Sequence, residues 1–219
     1  MPEKEIKKTR TKIAQKIGWI ILRPILKFFT RYRLQSQTDI GKLPSPLIIV
    51  SNHTCYLDPP LIGTILPLGS AVYPAYFMTK DSIMAAPFFG GFFNLFGAFR
   101  ARKGEGLEKS LEEPKKILGC GCSVVIFPQG GLSHEFAPEQ GKPGAAALSL
   151  QTNIPILPVA ICGIPNFSWK NFFLRKYRIE IKIGRPMLLK ERLNQNYVSD
   201  ENFKIATQVM MGEIKKLMG

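Results

Sequence analysis

The strongest constraint on the fold of this chain is an alternation. Five short runs rich in β-branched and aromatic residues, at 47–51, 75–79, 123–128, 156–161 and 178–183, are separated by segments of helical composition. Helices are expected over 59–66, 80–96, 106–118 and 141–151. A chain that alternates in this way predicts an α/β fold, a mixed, largely parallel sheet flanked by helices, with its working groups on loops after strand ends. Asp200 and Glu201 open a last helix, in which Phe203, Ala206, Val209, Met210, Ile214 and Leu217 recur at helical spacing and dock it on the core. At 219 residues, one such domain (36–219) plus an N-terminal segment (1–35) accounts for the whole length.

Chemistry is concentrated behind the first run, in Asn52-His53-Thr54-Cys55-Tyr56-Leu57-Asp58-Pro59-Pro60. Imidazole is the side chain whose ordinary pKa lies near neutral, so it can accept a proton in one step and return it in the next. Asp58 is placed to fix which ring nitrogen carries the hydrogen. On a helix the five-residue span would leave the two side chains about 140° apart, so they face each other only across a turn. Pro59 and Pro60 suit a first helical turn and mark Asp58 as the last residue before a helix. The same nine residues also fit an ordinary N-cap beside a core histidine, and both readings stay open at this point.

Three further segments, taken with the first, resemble the motifs of the glycerolipid acyltransferase family, of the bacterial 1-acylglycerol-3-phosphate type. His53-x4-Asp58 matches the family's first motif in full. Gly97-Ala98-Phe99-Arg100-Ala101-Arg102, preceded by Lys80 and Pro87, resembles the second. Phe127-Pro128-Gln129-Gly130-Gly131-Leu132-Ser133 resembles the third, usually Phe-Pro-Glu-Gly-Thr-Arg-Ser, and 154–161 resembles the fourth. Lys142-Pro143-Gly144 is similar to the family's Lys-x-Gly step near the acceptor phosphate. The resemblance implies an acyl thioester, of coenzyme A or acyl carrier protein, as co-substrate, no bound cofactor, and Gln129, Arg102 and Lys142 on the substrate. The third motif departs from the pattern. Gln129 keeps the shape of the usual Glu without its charge, and Leu132 keeps neither the charge nor the donors of the usual Arg. That loss weakens bidentate phosphate binding and opens the acceptor's identity, unless Arg102 and Lys142 compensate.

The cysteines form no disulfide framework: Cys55 and Cys162 stand alone and Cys120-Gly121-Cys122 precedes a strand, which fits a reducing, cytosol-facing compartment. No metal site is expected, because one Cys-x-Cys with two distant histidines, His53 and His134, lacks paired-ligand spacing.

Charge is unevenly placed. Of the net +14, residues 1–35 carry +8, from ten cations against Glu3 and Glu5. On a helical wheel Ile13, Ile17, Ile20, Ile21, Pro24 and Phe28 fall on one arc beside a stripe of Lys8, Lys12, Lys16, Arg23 and Lys27. Such a helix suits an anionic bilayer surface, with Trp19 in the interface, and implies a peripheral or monotopic protein on the cytoplasmic face of the cell membrane. It does not suit a span: the uncharged run 17–22 is too short, and Pro24 is expected to kink or split the helix. No secretory signal is visible. The alternatives are that this helix packs on its own domain or binds nucleic acid, a partner not expected here. A second lipid-facing candidate, 86–99, holds six Phe and no charge, and the aromatic and basic cluster 167–176 is a third.

The reaction expected is acyl transfer to a membrane lipid acceptor, 1-acylglycerol-3-phosphate above others. His53 takes the hydroxyl proton and passes it to the leaving thiolate, with Asp58 orienting the ring. Amides at Gly130 and Gly131 meet the developing oxyanion. Ser133 is read as a turn or cap residue, since no nucleophile elbow surrounds it. Three alternatives remain: a different lysolipid or polar-lipid acceptor, a hydrolase pairing His53 with Cys55, and a non-enzymatic membrane or nucleic-acid binder.

Overall fold

The computed structural model describes residues 3–133, 135–164, 166–193 and 200–219; His134 lies outside them. The elements run α1 (Glu3–Thr30), β1 (Arg33–Ser36), β2 (Ile48–Ser51), α2 (Asp58–Ile65), β3 (Ala75–Thr79), α3 (Asp81–Ala85), α4 (Phe89–Leu95), β4 (Ala98–Arg100) and α5 (Leu107–Gly119). They continue as β5 (Ser123–Ile126), α6 (Gly144–Thr152), β6 (Ile156–Cys162), α7 (Trp169–Phe173), β7 (Glu180–Ile183), α8 (Leu189–Leu193) and α9 (Asp200–Met218).

Among the described residues these strands form one seven-stranded sheet in the order β1-β7-β6-β2-β5-β3-β4. Only the β6–β7 junction is antiparallel, so β6, β2, β5, β3 and β4 all point the same way. The expected mixed, largely parallel sheet is the observed one. Alternation along β2 divides the core in two: Ile49 joins the layer under α1 and α2, while Ile48 and Val50 join the layer under α5, α6 and α9. Both faces are covered, which is why the central strands read as unbroken apolar runs. In α9 the residues Phe203, Ala206, Met210, Ile214 and Leu217 are buried, as their spacing requires.

Three local expectations fail for identifiable reasons. The helix expected over 80–96 is two helices, because a residue before proline is driven extended: Ala86 sits at ψ 131° ahead of Pro87, and Phe88 then takes φ 64°. The second turns back so closely that Gly90 lies against Met84 O, where no Cβ fits. Conversely, α1 runs unbroken through Pro24. Tertiary contacts hold it on both sides of the proline: Trp19 Nε1 donates to Leu66 O (2.9 Å), Arg23 Nη1 to Thr64 O (3.1 Å), and Leu26 is buried. Asp58, finally, is the first residue of α2 rather than the residue before it.

The N-terminal helix is packed along the domain. Thr11, Ala14, Leu26 and Thr30 are buried, Gln15 bonds Ala75 and Phe96 carbonyls, and Lys8 Nζ donates to Cys120 O. Its opposite face is bare, with Ile13, Ile17, Ile20, Ile21, Leu22, Ile25 and Phe28 exposed. Among the described residues, no helix is long and apolar enough to cross a membrane.

Candidate active site

His53 stands just past the C-terminal end of β2, and Asn52 makes that end rigid. The Asn52 amide donates to Ile161 O (2.7 Å) and accepts from Ile161 N (2.8 Å), continuing the ladder to β6 with a side chain. From there the chain turns, and the Asp58 carboxylate reaches back across the turn. Its Oδ2 accepts from His53 Nδ1 (2.9 Å), Thr54 N (2.6 Å) and Cys55 N (2.8 Å), while Oδ1 accepts from Cys55 Sγ (3.5 Å). Asp58 is fully buried and bonds residues before the helix, so the N-cap explanation for it is corrected. With two backbone N–H groups already donating to Oδ2, the carboxylate oxygen acts as acceptor there, and it fixes the hydrogen on Nδ1. The face of the His53 ring stacks on Phe127 at 4.1 Å. Nε2, on the far side of the ring from Asp58, is the nitrogen left to meet a substrate hydroxyl.

The loop after β5 grips the backbone of His53 at two points. Gln129 Oε1 accepts from His53 N (3.1 Å), and its Nε2 donates to Glu135 O (3.2 Å). Ser133 N donates to His53 O (2.8 Å), and its hydroxyl donates to Glu135 O (2.6 Å), so Ser133 serves a turn. Gln129 thus acts as donor and acceptor at once, which a carboxylate cannot do.

Gly130 adopts φ 73°, and a Cβ there would fall 2.5 Å from Lys142 Nζ; the lysine lies directly over the turn. The Gly130 N–H is committed to Phe127 O (2.9 Å). Among the described residues, the Gly131 N–H meets no protein acceptor, which leaves it as the amide of this pair available to an oxyanion. Lys80 Nζ approaches Gly131, 3.9 Å from where a Cβ there would stand. Two ammonium groups therefore lie close to the Gly130–Gly131 turn. Arg102 is further along the sheet, after β4: its Nη1 pairs with Glu112 Oε2 (3.4 Å), and its amide donates to Asp81 Oδ1 (3.3 Å). Strands are about 4.8 Å apart, so β4 lies roughly 14 Å from β2 along the sheet. Leu132 is exposed at the position after the turn.

Cys55 is no nucleophile. Burial, then the Asp58 charge, pushes its thiol up to about 12, and it points at the carboxylate rather than at His53 Nε2.

Sequence reasoning named Lys80 only as part of a motif and gave no role to Asn52 or Phe127. A signal was present: all three sit at, or one residue past, the C-terminal ends of parallel strands.

The family model described as "Acyltransferase" matches residues 33–162. A 1-acyl-sn-glycerol-3-phosphate acyltransferase of Bacillus subtilis is 28% identical over 79% of this chain and 81% of its own length. The coconut enzyme of the same name (Cocos nucifera) is 27% identical over 58% of this chain, and the lyso-ornithine lipid O-acyltransferase of Pseudomonas aeruginosa 26% over 58%. This chain spans only 41% and 48% of those two proteins. Among solved structures, the 1-acyl-sn-glycerophosphate acyltransferase PlsC of Thermotoga maritima matches 99% of this chain and 83% of its own, with TM-score 0.63 at 21% identity, a likeness of fold.

Proposed function

This chain belongs to the acyltransferase family, and from that premise we propose that it moves a fatty acyl group from an acyl thioester to the free hydroxyl of a lysophospholipid, 1-acylglycerol-3-phosphate, at a membrane surface. The observation that carries this reading is the His53–Asp58 pair, closed at 2.9 Å, beside a turn approached by Lys80 and Lys142. Nε2 of His53 takes the hydroxyl proton as the alcohol oxygen attacks the thioester carbonyl. The Gly131 amide receives the negative charge on the carbonyl oxygen. The C–S bond then breaks, the proton passes from Nε2 to the departing thiolate, and the ester is free without a covalent enzyme intermediate. Asp58 stabilises the imidazolium between the two steps. The ammonium groups of Lys80 and Lys142 hold the acceptor's anionic head group. The donor is an acyl-coenzyme A or acyl carrier protein thioester.

Membrane association, peripheral or monotopic at the cytoplasmic face, is supported by the bare aliphatic face of α1 and by the ten cations of residues 1–35, eight of them in α1. The Phe-rich helix α4 lies beside it: Phe88, Phe89, Phe92 and Phe93 are exposed, and Phe96 packs on Gly18 of α1.

One observation favours a second acceptor class. Leu132 offers an apolar surface next to the lysines, and the Pseudomonas relative carries the name of a lyso-ornithine lipid acyltransferase. Radiolabelled acyl-coenzyme A and acyl carrier protein thioesters, offered with a panel of lysolipids of different head groups, separate the readings. Labelled phosphatidic acid is the expected product. Transfer to another lysolipid alone selects the second acceptor class, release of free acid alone makes the chain a hydrolase, and no turnover with any pair refutes an enzyme.

A further inference from the structure

The aromatic segment after β6 is absorbed by neither the catalytic reading nor the anchor formed by α1 and α4. Ser168 caps α7 by accepting from Asn171 N, and Phe172 fixes the helix to the core against Phe29 at 4.9 Å. The opposite face is bare: Trp169, Phe173 and Leu174 are 60%, 61% and 56% exposed. Large aromatics held outward by a packed neighbour call for a partner. The surrounding charge has one sign. Residues 163–179 contain Lys170, Arg175, Lys176 and Arg178 and no acid, and the end of α1 that packs on α7 through Phe29 carries Lys27, with Arg31 just past the helix. Arg175 joins the two elements, donating from Nε to Phe28 O (3.1 Å) with its guanidinium 4.1 Å over the Phe28 ring. The bare face of α7 is therefore continuous with that of α1 through Phe28, itself 54% exposed.

Topology adds a second argument. Because β6, β2 and β3 are parallel, α7, His53 and the α3–α4 pair all follow the same edge of the sheet. β6 lies one strand from β2 on one side, and β3 lies two strands away on the other. His53 is bracketed by two aromatic elements that share its edge.

We propose that α7 and Leu174 form a second insertion element for an anionic bilayer, with Trp169 in the interface, so that α4 and α7 seat the catalytic edge against lipid from both sides. The inference rests on the reading that the chain works at a membrane and adds where it touches. Trp and cationic side chains around an apolar tip match the headgroup boundary. An acceptor lipid then reaches His53 without leaving the bilayer plane.

The test uses the full chain and vesicles of equal parts phosphatidylglycerol and phosphatidylcholine, with brominated acyl chains as quencher. Tryptophan emission of the unmodified chain is expected to be quenched, and Trp169→Phe to remove most of the quenched component, because Trp19 is tied to Leu66 O beneath Arg23. Phe173→Ser combined with Leu174→Ser is expected to lower vesicle partitioning about tenfold, with turnover of a dispersed short-chain acceptor retained as the folding control. If the chain sediments with vesicles while Trp169 stays unquenched, this proposal falls and the membrane reading stands; such a face would belong to a protein partner. If the chain does not bind vesicles at all, both fall together.

Discussion

Replacing Asp58 by Asn is the sharpest probe of the site, because the surroundings dictate which way the amide must point. At Oδ2 the carboxylate accepts two backbone N–H groups, from Thr54 and Cys55, as well as His53 Nδ1. An Asn NH2 group turned there would face two donors, so its oxygen must take that place and its nitrogen must face Cys55 Sγ. The tautomer of His53 then survives, and what is lost is charge. A charge-assisted hydrogen bond contributes about 1.5–3 kcal/mol against about 0.5–1.5 for a neutral one, a difference of about 1–2 kcal/mol on the imidazolium. At 1.36 kcal/mol per factor of ten, turnover should fall about five- to thirty-fold. Loss of the correct tautomer would instead cost about 10⁴. The two amides also lose a charged acceptor, so about 1–2 kcal/mol of stability goes with it, a fall in melting temperature of roughly 2–8 °C. The assay is kcat for labelled acyl transfer at saturating donor, beside a thermal melt. A 10⁴-fold loss in a folded variant refutes the argument that the amides orient the side chain. Unchanged turnover refutes the imidazolium argument and leaves Asp58 a role in the loop alone.

Other perturbations test the neighbouring contacts. His53→Ala should abolish transfer by about a hundredfold or more while the chain stays folded, because Gln129 and Ser133 hold the backbone of His53 and not its ring; near-normal turnover would remove the base. Gln129→Glu keeps an acceptor for His53 N but loses the donor to Glu135 O, whereas Gln129→Leu strands the amide as well; the second should melt lower, by about 1–3 kcal/mol, and equal melts would exclude the bridge. Native Cys55 should resist iodoacetamide at pH 8 while exposed Cys120 reacts, as peptide mass mapping would reveal. Because the Cys55 thiol is raised from 9.0 to about 12, its contribution to stability is full below pH 9 and is lost as pH rises towards 12, so alkaline melts should fall more steeply for the native chain than for Cys55→Ala.

Much of this molecule is legible from its sequence, and the illegible parts have physical causes. The central strands were readable because both faces are buried, which writes them as apolar runs such as Ile48-Ile49-Val50. The edge strand β1, Arg33-Leu34-Gln35-Ser36, carries no such signature, since most of its side chains are exposed; β4 is three residues long and hidden in a Phe-rich stretch. Both are strands because a neighbour offers a ladder, and that information is not local. In the site, the pairing of His53 with Asp58 followed from the proline pair that forces a turn. The role of Gln129 did not, because its two partners, His53 N and Glu135 O, meet it only through the folded loop. Lys142 over Gly130 is likewise a contact between segments twelve residues apart.

The turn from His53 to Asp58 is closed by its own chain, through four contacts on one carboxylate. Ordering a backbone costs about 1–2 kcal/mol per residue, and here that entropy is surrendered once, when the protein folds, rather than each time a ligand arrives. The imidazole is held in place with no ligand needed to assemble the turn. On the proposed reaction, substrate affinity is therefore free to be weak, as suits release of a bulky lipid product into the layer that supplied its acceptor.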